Sequence, residues 1–157
     1  MAAFWFNRAR KRMTDAEIDW ASADIRAMLI MRNSTVPTEY GADTCADFTT
    51  LNEHDGASYG GAVALTGKTS TEIDPTLATG YTSLDANDIT FPTQADDGTE
   101  NGGVDPVAGV LVYLHTGPNL VDKLPLIWHP AAGTPDGQDY VVTWNSDGVG
   151  RVRGTNP

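Results

Sequence analysis

Val107-Ala108-Gly109-Val110-Leu111-Val112-Tyr113-Leu114-His115 decides the fold. Odd and even positions are apolar alike, so both faces of this stretch are covered, and it reads as a central strand. Residues 25–32 carry the same signal. Ile25, Ala27, Leu29 and Met31 alternate with Arg26, Met28, Ile30 and Arg32, which predicts a strand with charged ends and an apolar centre. Ile18 and Trp20 predict a short strand just before it, with a turn at Ala21-Ser22-Ala23. Residues 61–73, 79–90, 124–128, 140–144 and 148–153 complete a set of seven or eight strands separated by turn signals.

Helical signals are few. Residues 4–13 are the best helix candidate, running from Phe4-Trp5-Phe6 into Arg-rich sequence with no breaker before Thr14 and Asp15. A second helical turn is expected over 43–51, with Asp43 or Thr44 as cap. No helical pattern of about 10–15 residues separates the strands, so the sheet is antiparallel. The expected architecture is mainly β: a sandwich or barrel with a short N-terminal helix or arm over residues 1–15 and a single β domain over 16–157. Residues 92–106 are predicted to form a long polar loop.

Composition agrees. The chain has 157 residues, 40% hydrophobic and 20% charged, which excludes a disordered chain or a coiled coil. Sixteen Asp, 16 Gly, 9 Pro and 19 Thr suit short strands and many turns. No apolar run approaches the roughly 20 residues of a membrane helix. Phe4-Trp5-Phe6 precedes the basic cluster, the reverse of the order in a secretory signal.

The net charge of −11 is unevenly spread. Arg8, Arg10, Lys11 and Arg12 cluster near the N-terminus, and Arg151 and Arg153 lie at the other end. Between residues 33 and 150, Lys68 and Lys123 face 17 acids, a net of −15. That field repels phosphate backbones, so the body of the domain is not expected to bind nucleic acid. The basic cluster is either a contact for an acidic neighbour, a second copy or nucleic acid, or a solvated helix face.

Catalytic patterns do not assemble. Cys45 stands alone, which excludes an internal disulfide and a Cys-based zinc site and suggests a buried thiol. His54, His115 and His129 have no ligand spacing. Ser58, Ser70, Ser83 and Ser146 sit in polar or turn contexts, with no Gly-x-Ser-x-Gly elbow. Gly60-Gly61 and Gly102-Gly103 lack the Lys-Ser/Thr of a phosphate loop. Asp85–Asp88, Asp96–Glu100 and Asp136–Asp139 are oxygen-rich turns that a hard cation could use, and that Asx turns explain equally well. No cofactor is expected.

Ala62–Phe91 and Val107–Val152 together resemble a family of small virion structural proteins of tailed bacteriophages. The resemblance is carried by Glu17-Ile18-Asp19-Trp20 followed by Asp24–Ile30, then Ala64-Leu65-Thr66-Gly67-Lys68-Thr69. Leu84-Asp85-Ala86-Asn87-Asp88-Ile89-Thr90-Phe91 extends it, as do Pro125-Leu126-Ile127 and Trp144–Val149. It implies a virion component that is not a catalyst, assembled in the bacterial cytoplasm, and the leading expectation is a capsid decoration or cement protein. Such a protein would bind the outer shell as a homo-oligomer and contact the major capsid protein or other virion proteins. A tail, neck or baseplate component, as a ring subunit or fibre adaptor, is the alternative. A carbohydrate-binding module using Trp128, Tyr113 and the acidic turns is a third.

The candidate partner-binding residues are Phe4, Trp5, Phe6, Arg8, Arg10, Lys11 and Arg12. The aromatics either anchor in a partner's pocket or fold back onto their own β domain.

Overall fold

The computed structural model describes residues 2–56, 58–73, 80–94, 106–146 and 148–152. Its centre is the predicted one. Strand β7 (Val107–His115) lies between β2 (Ile25–Met31) and β8 (Lys123–Gly133) in a five-stranded antiparallel sheet. β1 (Phe4–Trp5) closes the β8 edge, and β3 (Val63–Ala64) closes the β2 edge. A second sheet has the order β10 (Gly150–Val152), β5 (Tyr81–Asp85), β4 (Thr69–Ile73). The remaining pair is β6 (Ile89–Gln94) with β9 (Gln138–Val142).

All pairings are antiparallel, and among the described residues the sheets do not close into a barrel. The fold is mainly β and sandwich-like.

Register explains why β7 is apolar throughout. Val110 and Val112 stand beside Leu29 and Ala27 on one face, while Leu111 stands beside Met28 and Trp128 on the other. All seven of these side chains are buried. Fully burying each large one contributes about 1.5–3 kcal/mol. Gly109 is required by packing. A Cβ there would lie 2.7 Å from the Trp128 ring and 2.4 Å from the His129 carbonyl oxygen.

The second layer covers the face that carries Ile127 and His129. The His129 ring meets Trp144 edge-on at 5.1 Å. Gly150 sits so close to Ile127 and Trp5 that a Cβ would fall within 2.8 Å of both. The outer side of β2 is covered as well. The His54 N–H donates to the Leu29 carbonyl at 3.0 Å, and the Leu65 N–H donates to that of Ile25 at 2.8 Å. The Tyr59 hydroxyl donates to Glu53 at 2.8 Å and accepts from the Leu29 N–H at 3.3 Å.

Several expected boundaries are corrected. The helix over 4–13 is instead β1 followed by α1 (Asn7–Thr14), because Phe4 and Trp5 pair with Trp128 and Ile127. Ile18–Trp20 is not a strand. The Asp19 carboxylate accepts from the Ala21 N–H and the Ser22 hydroxyl, and this local turn wins over a ladder. Trp20 is anchored by its ring N–H to the Asp85 carbonyl at 2.9 Å.

The turn over 43–51 shrinks to a 3-10 turn at Cys45–Asp47, where the Asp47 carboxylate accepts from both the N–H and the hydroxyl of Thr44. Residues 61–73 divide into β3 and β4 around Gly67, whose φ of +62° and contact with Asn87 break the strand. The stretch 79–90 divides into β5 and the start of β6. The expected 92–106 loop begins later, since β6 runs to Gln94, and residues 95–105 lie outside the described residues.

Candidate interaction surface

The basic-aromatic segment is split by its own geometry. Its aromatic half belongs to the sheet. Phe4 pairs with Trp128 and Trp5 with Ile127, and the Phe6 N–H extends the ladder to the Leu126 carbonyl at 3.0 Å. Phe6 is completely buried, whereas Phe4 and Trp5 are half-buried. A ring cluster holds the turn into α1. Phe4 lies 5.2 Å from Phe6 and 4.5 Å from Tyr40, and Phe6 meets Phe48 at 5.6 Å. The triplet therefore follows the second of the two sequence readings and folds back onto its own domain.

The basic half faces outward. Helix α1 is fastened at its start by the Asn7 N–H donating to the Tyr40 carbonyl at 3.0 Å, and along its length by buried Ala9. Lys11 pairs with Asp15 one turn on, which raises the Lys11 pKa, and Arg12 approaches Glu17 at 3.6 Å. Both cations occupy the last turn, where the negative end of the helix dipole favours them. Arg8 and Arg10 are exposed and form no ion pair among the described residues. The surface thus carries two outward cations on a short helix fixed to an acidic body.

Beside this segment runs a groove of about 300 Å³ lined by Trp5, Ile127, His129, Asn145, Val149 and Arg151, among others. Burial lowers the His129 pKa, with a backbone hydrogen bond at Val149 opposing it. Arg151 stacks on the Tyr81 ring at 4.5 Å.

The remaining candidates are dispersed. His54 packs on Tyr59 at 5.2 Å, His115 lies 6.2 Å from Tyr113, and His129 meets Trp144. Among the described residues no three His, Cys, Asp or Glu side chains gather to hold a metal. In two of the acidic turns the carboxylates accept backbone N–H groups of the same chain. Asp88 accepts from the Trp144 N–H at 3.0 Å and Asp85 from the Ala86 N–H at 2.9 Å. Asp136 accepts from the Gln138 N–H at 3.0 Å, and Asp139 from the Thr93 N–H at 2.9 Å. The 96–100 turn lies outside the described residues.

Cys45 is buried, and burial pushes its thiol up to about 12. Trp128 and Tyr113, each 1% exposed, are core residues and offer no platform to a sugar.

Sequence reasoning missed the role of Tyr40, which closes the ring cluster, and the exposed edge strand β4. A run of Thr, Ser and Glu without apolar alternation was the available sign of such an edge. Comparison with protein-family models, with curated proteins and with solved structures found no match. Among the described residues no helix is long and apolar enough to cross a membrane.

Proposed function

We propose that this chain is a non-enzymatic structural protein of a tailed-bacteriophage particle, a decoration or cement protein that binds the outer shell as an oligomer. The observation that carries the reading is the mounting of the basic helix. β1 is laced to β8 immediately before α1, so Arg8 and Arg10 project from a helix anchored to the body at its first residue. A rigid cationic helix on an acidic domain suits docking against an acidic neighbouring subunit, because the geometry is pre-organised and the charge steers approach. The resemblance of residues 62–91 and 107–152 to phage structural proteins supports the same role.

Quantitative mass spectrometry of purified virions tests it. A copy number comparable to the major capsid protein fits shell decoration. One ring's worth moves the protein to the neck or tail, and absence from the particle refutes both. Removing residues 1–12 is not a clean test of the helix, since it also removes Phe6 from the core. Charge reversal of Arg8 and Arg10 to Glu leaves the fold intact and is expected to weaken particle binding; unchanged binding refutes the role given to the helix.

A further inference from the structure

The groove beside β1 takes no part in the docking proposed for α1. It lies where β1, the outermost strand of the five-stranded sheet, meets β10, the outermost strand of the second sheet. β1 and β8 supply Trp5, Ile127 and His129, and the chain around β10 supplies Asn145, Gly150 and Arg151. At about 300 Å³ it is at the small end of ligand pockets, with room for one ring and its substituents.

Its chemistry departs from that of the whole chain. There are 21 acids against 10 Lys and Arg, yet among the described residues the groove is lined by a guanidinium and no carboxylate. Arg151 stacks on Tyr81 at 4.5 Å. Stacking engages the face of the guanidinium, while its N–H groups donate in the plane. The Trp5 indole is a second donor. Trp20 and Trp144 give their ring N–H to the Asp85 and Asn87 carbonyls, whereas that of half-buried Trp5 meets no acceptor among the described residues. Its N–H edge borders the groove, since Cε2, the carbon next to Nε1, would lie 3.2 Å from a Cβ on Gly150. The Asn145 carboxamide both donates and accepts. The backbone hydrogen bond at Val149 occupies the donor nitrogen of the neutral His129 ring, which leaves the other nitrogen as an acceptor.

We propose that this groove binds a single uronic acid residue, a six-membered sugar ring bearing one carboxylate. Arg151 and the Trp5 N–H take the carboxylate, and such charge-assisted hydrogen bonds are the strong ones. Asn145 and His129 take ring hydroxyls, and Ile127 and Val149 meet the apolar C–H side of the ring. Charge complementarity selects the occupant. A neutral sugar offers Arg151 no charge, and an aromatic acid offers Asn145 and His129 no hydroxyls.

Titration of the isotope-labelled full chain with galacturonate at neutral pH, followed by NMR, tests the site, because the Trp5 indole N–H gives its own resonance. That signal and the Gly150 amide are expected to move with a Kd of roughly 1 mM, weak as single-ring ligands are. Arg151→Gln is expected to weaken binding by about tenfold or more. Arg32→Gln removes the same charge from an exposed position elsewhere and is expected to leave binding unchanged. Asn145→Asp sets a like charge beside the carboxylate without a change of shape and is expected to weaken binding at least as much as Arg151→Gln. Galactose and benzoate are expected to bind about tenfold more weakly than galacturonate.

A Trp5 indole signal that stays still at about 10 mM galacturonate overturns the proposal. So does equal loss of affinity from Arg151→Gln and Arg32→Gln, or binding undiminished by Asn145→Asp. Galactose or benzoate binding as tightly as galacturonate overturns the choice of ligand. Virion analysis separates this from the functional reading. Binding by a chain absent from particles refutes only the virion role, and a particle-bound chain that ignores galacturonate refutes only the groove.

Discussion

Replacing Phe6 by Ala tests whether the N-terminal segment is part of the core or an appendage. Phe6 is 0% exposed, its ring meets those of Phe4 and Phe48, and its N–H bonds to Leu126. Truncation removes the ring and leaves a cavity between β8 and the 36–48 segment that neighbouring backbone hydrogen bonds hold open. Phe→Ala changes at such sites cost about 3–5 kcal/mol. At this chain length each kcal/mol lowers Tm by about 2–4 °C, so a fall of roughly 6–20 °C is expected. Against a typical total of about 5–15 kcal/mol, the variant stays folded but marginal.

Urea and thermal unfolding followed by circular dichroism measure this directly, with an unchanged urea m-value showing that the cooperative unit is intact. The double variant Arg8→Glu, Arg10→Glu is the control, since both positions are exposed, and it is expected to move stability by no more than about 0.5 kcal/mol per site. A cost below about 1 kcal/mol for Phe6→Ala refutes the reasoning, because a truly buried ring exceeds it.

Three further outcomes are expected. Gly109→Ala lowers stability by about 1–3 kcal/mol in thermal unfolding, because its Cβ has no room against the His129 carbonyl; a neutral result contradicts that packing. Cys45 and Tyr113 both have pKa values pushed up to about 12 by burial, so below the unfolded thiol value of 9.0 their protonation does not differ between states. From there to about 12 the unfolded chain loses protons first and Tm falls. Cys45→Ala makes that fall shallower, and an identical pH profile speaks against a buried thiol. His129 has the opposite sign. Its folded pKa lies below the ordinary 6.5, so stability is present above that value and declines as pH drops below it. The midpoint chemical shift of its ring protons in an NMR titration checks the direction.

The sequence and the structure agree where burial is dictated locally. β7 and β2 are apolar on both faces, and that pattern needs no knowledge of partners. Arg8 and Arg10 were legible for the same reason, since an unpaired charge seldom leaves solvent. Disagreement arises where a distant partner decides. Phe4-Trp5 looks helical beside Arg-rich sequence, yet β8, more than 120 positions away, offers an edge that recruits it. Ile18–Trp20 alternates like a strand, but no neighbour completes its ladder, and Asp19 satisfies the backbone locally.

The pairing of β1 with β8 also bears on how the chain reaches its native state. Phe4, Trp5 and Phe6 are made more than a hundred residues before the strand that receives them. β2 also pairs with a distant strand, β7, across a shorter separation. Closing such distant pairs loses chain entropy before contacts compensate, so folding is slow for a domain of this size. During synthesis three consecutive aromatics stand uncovered, which makes the N-terminal residues the segment most in need of protection from aggregation until β8 emerges.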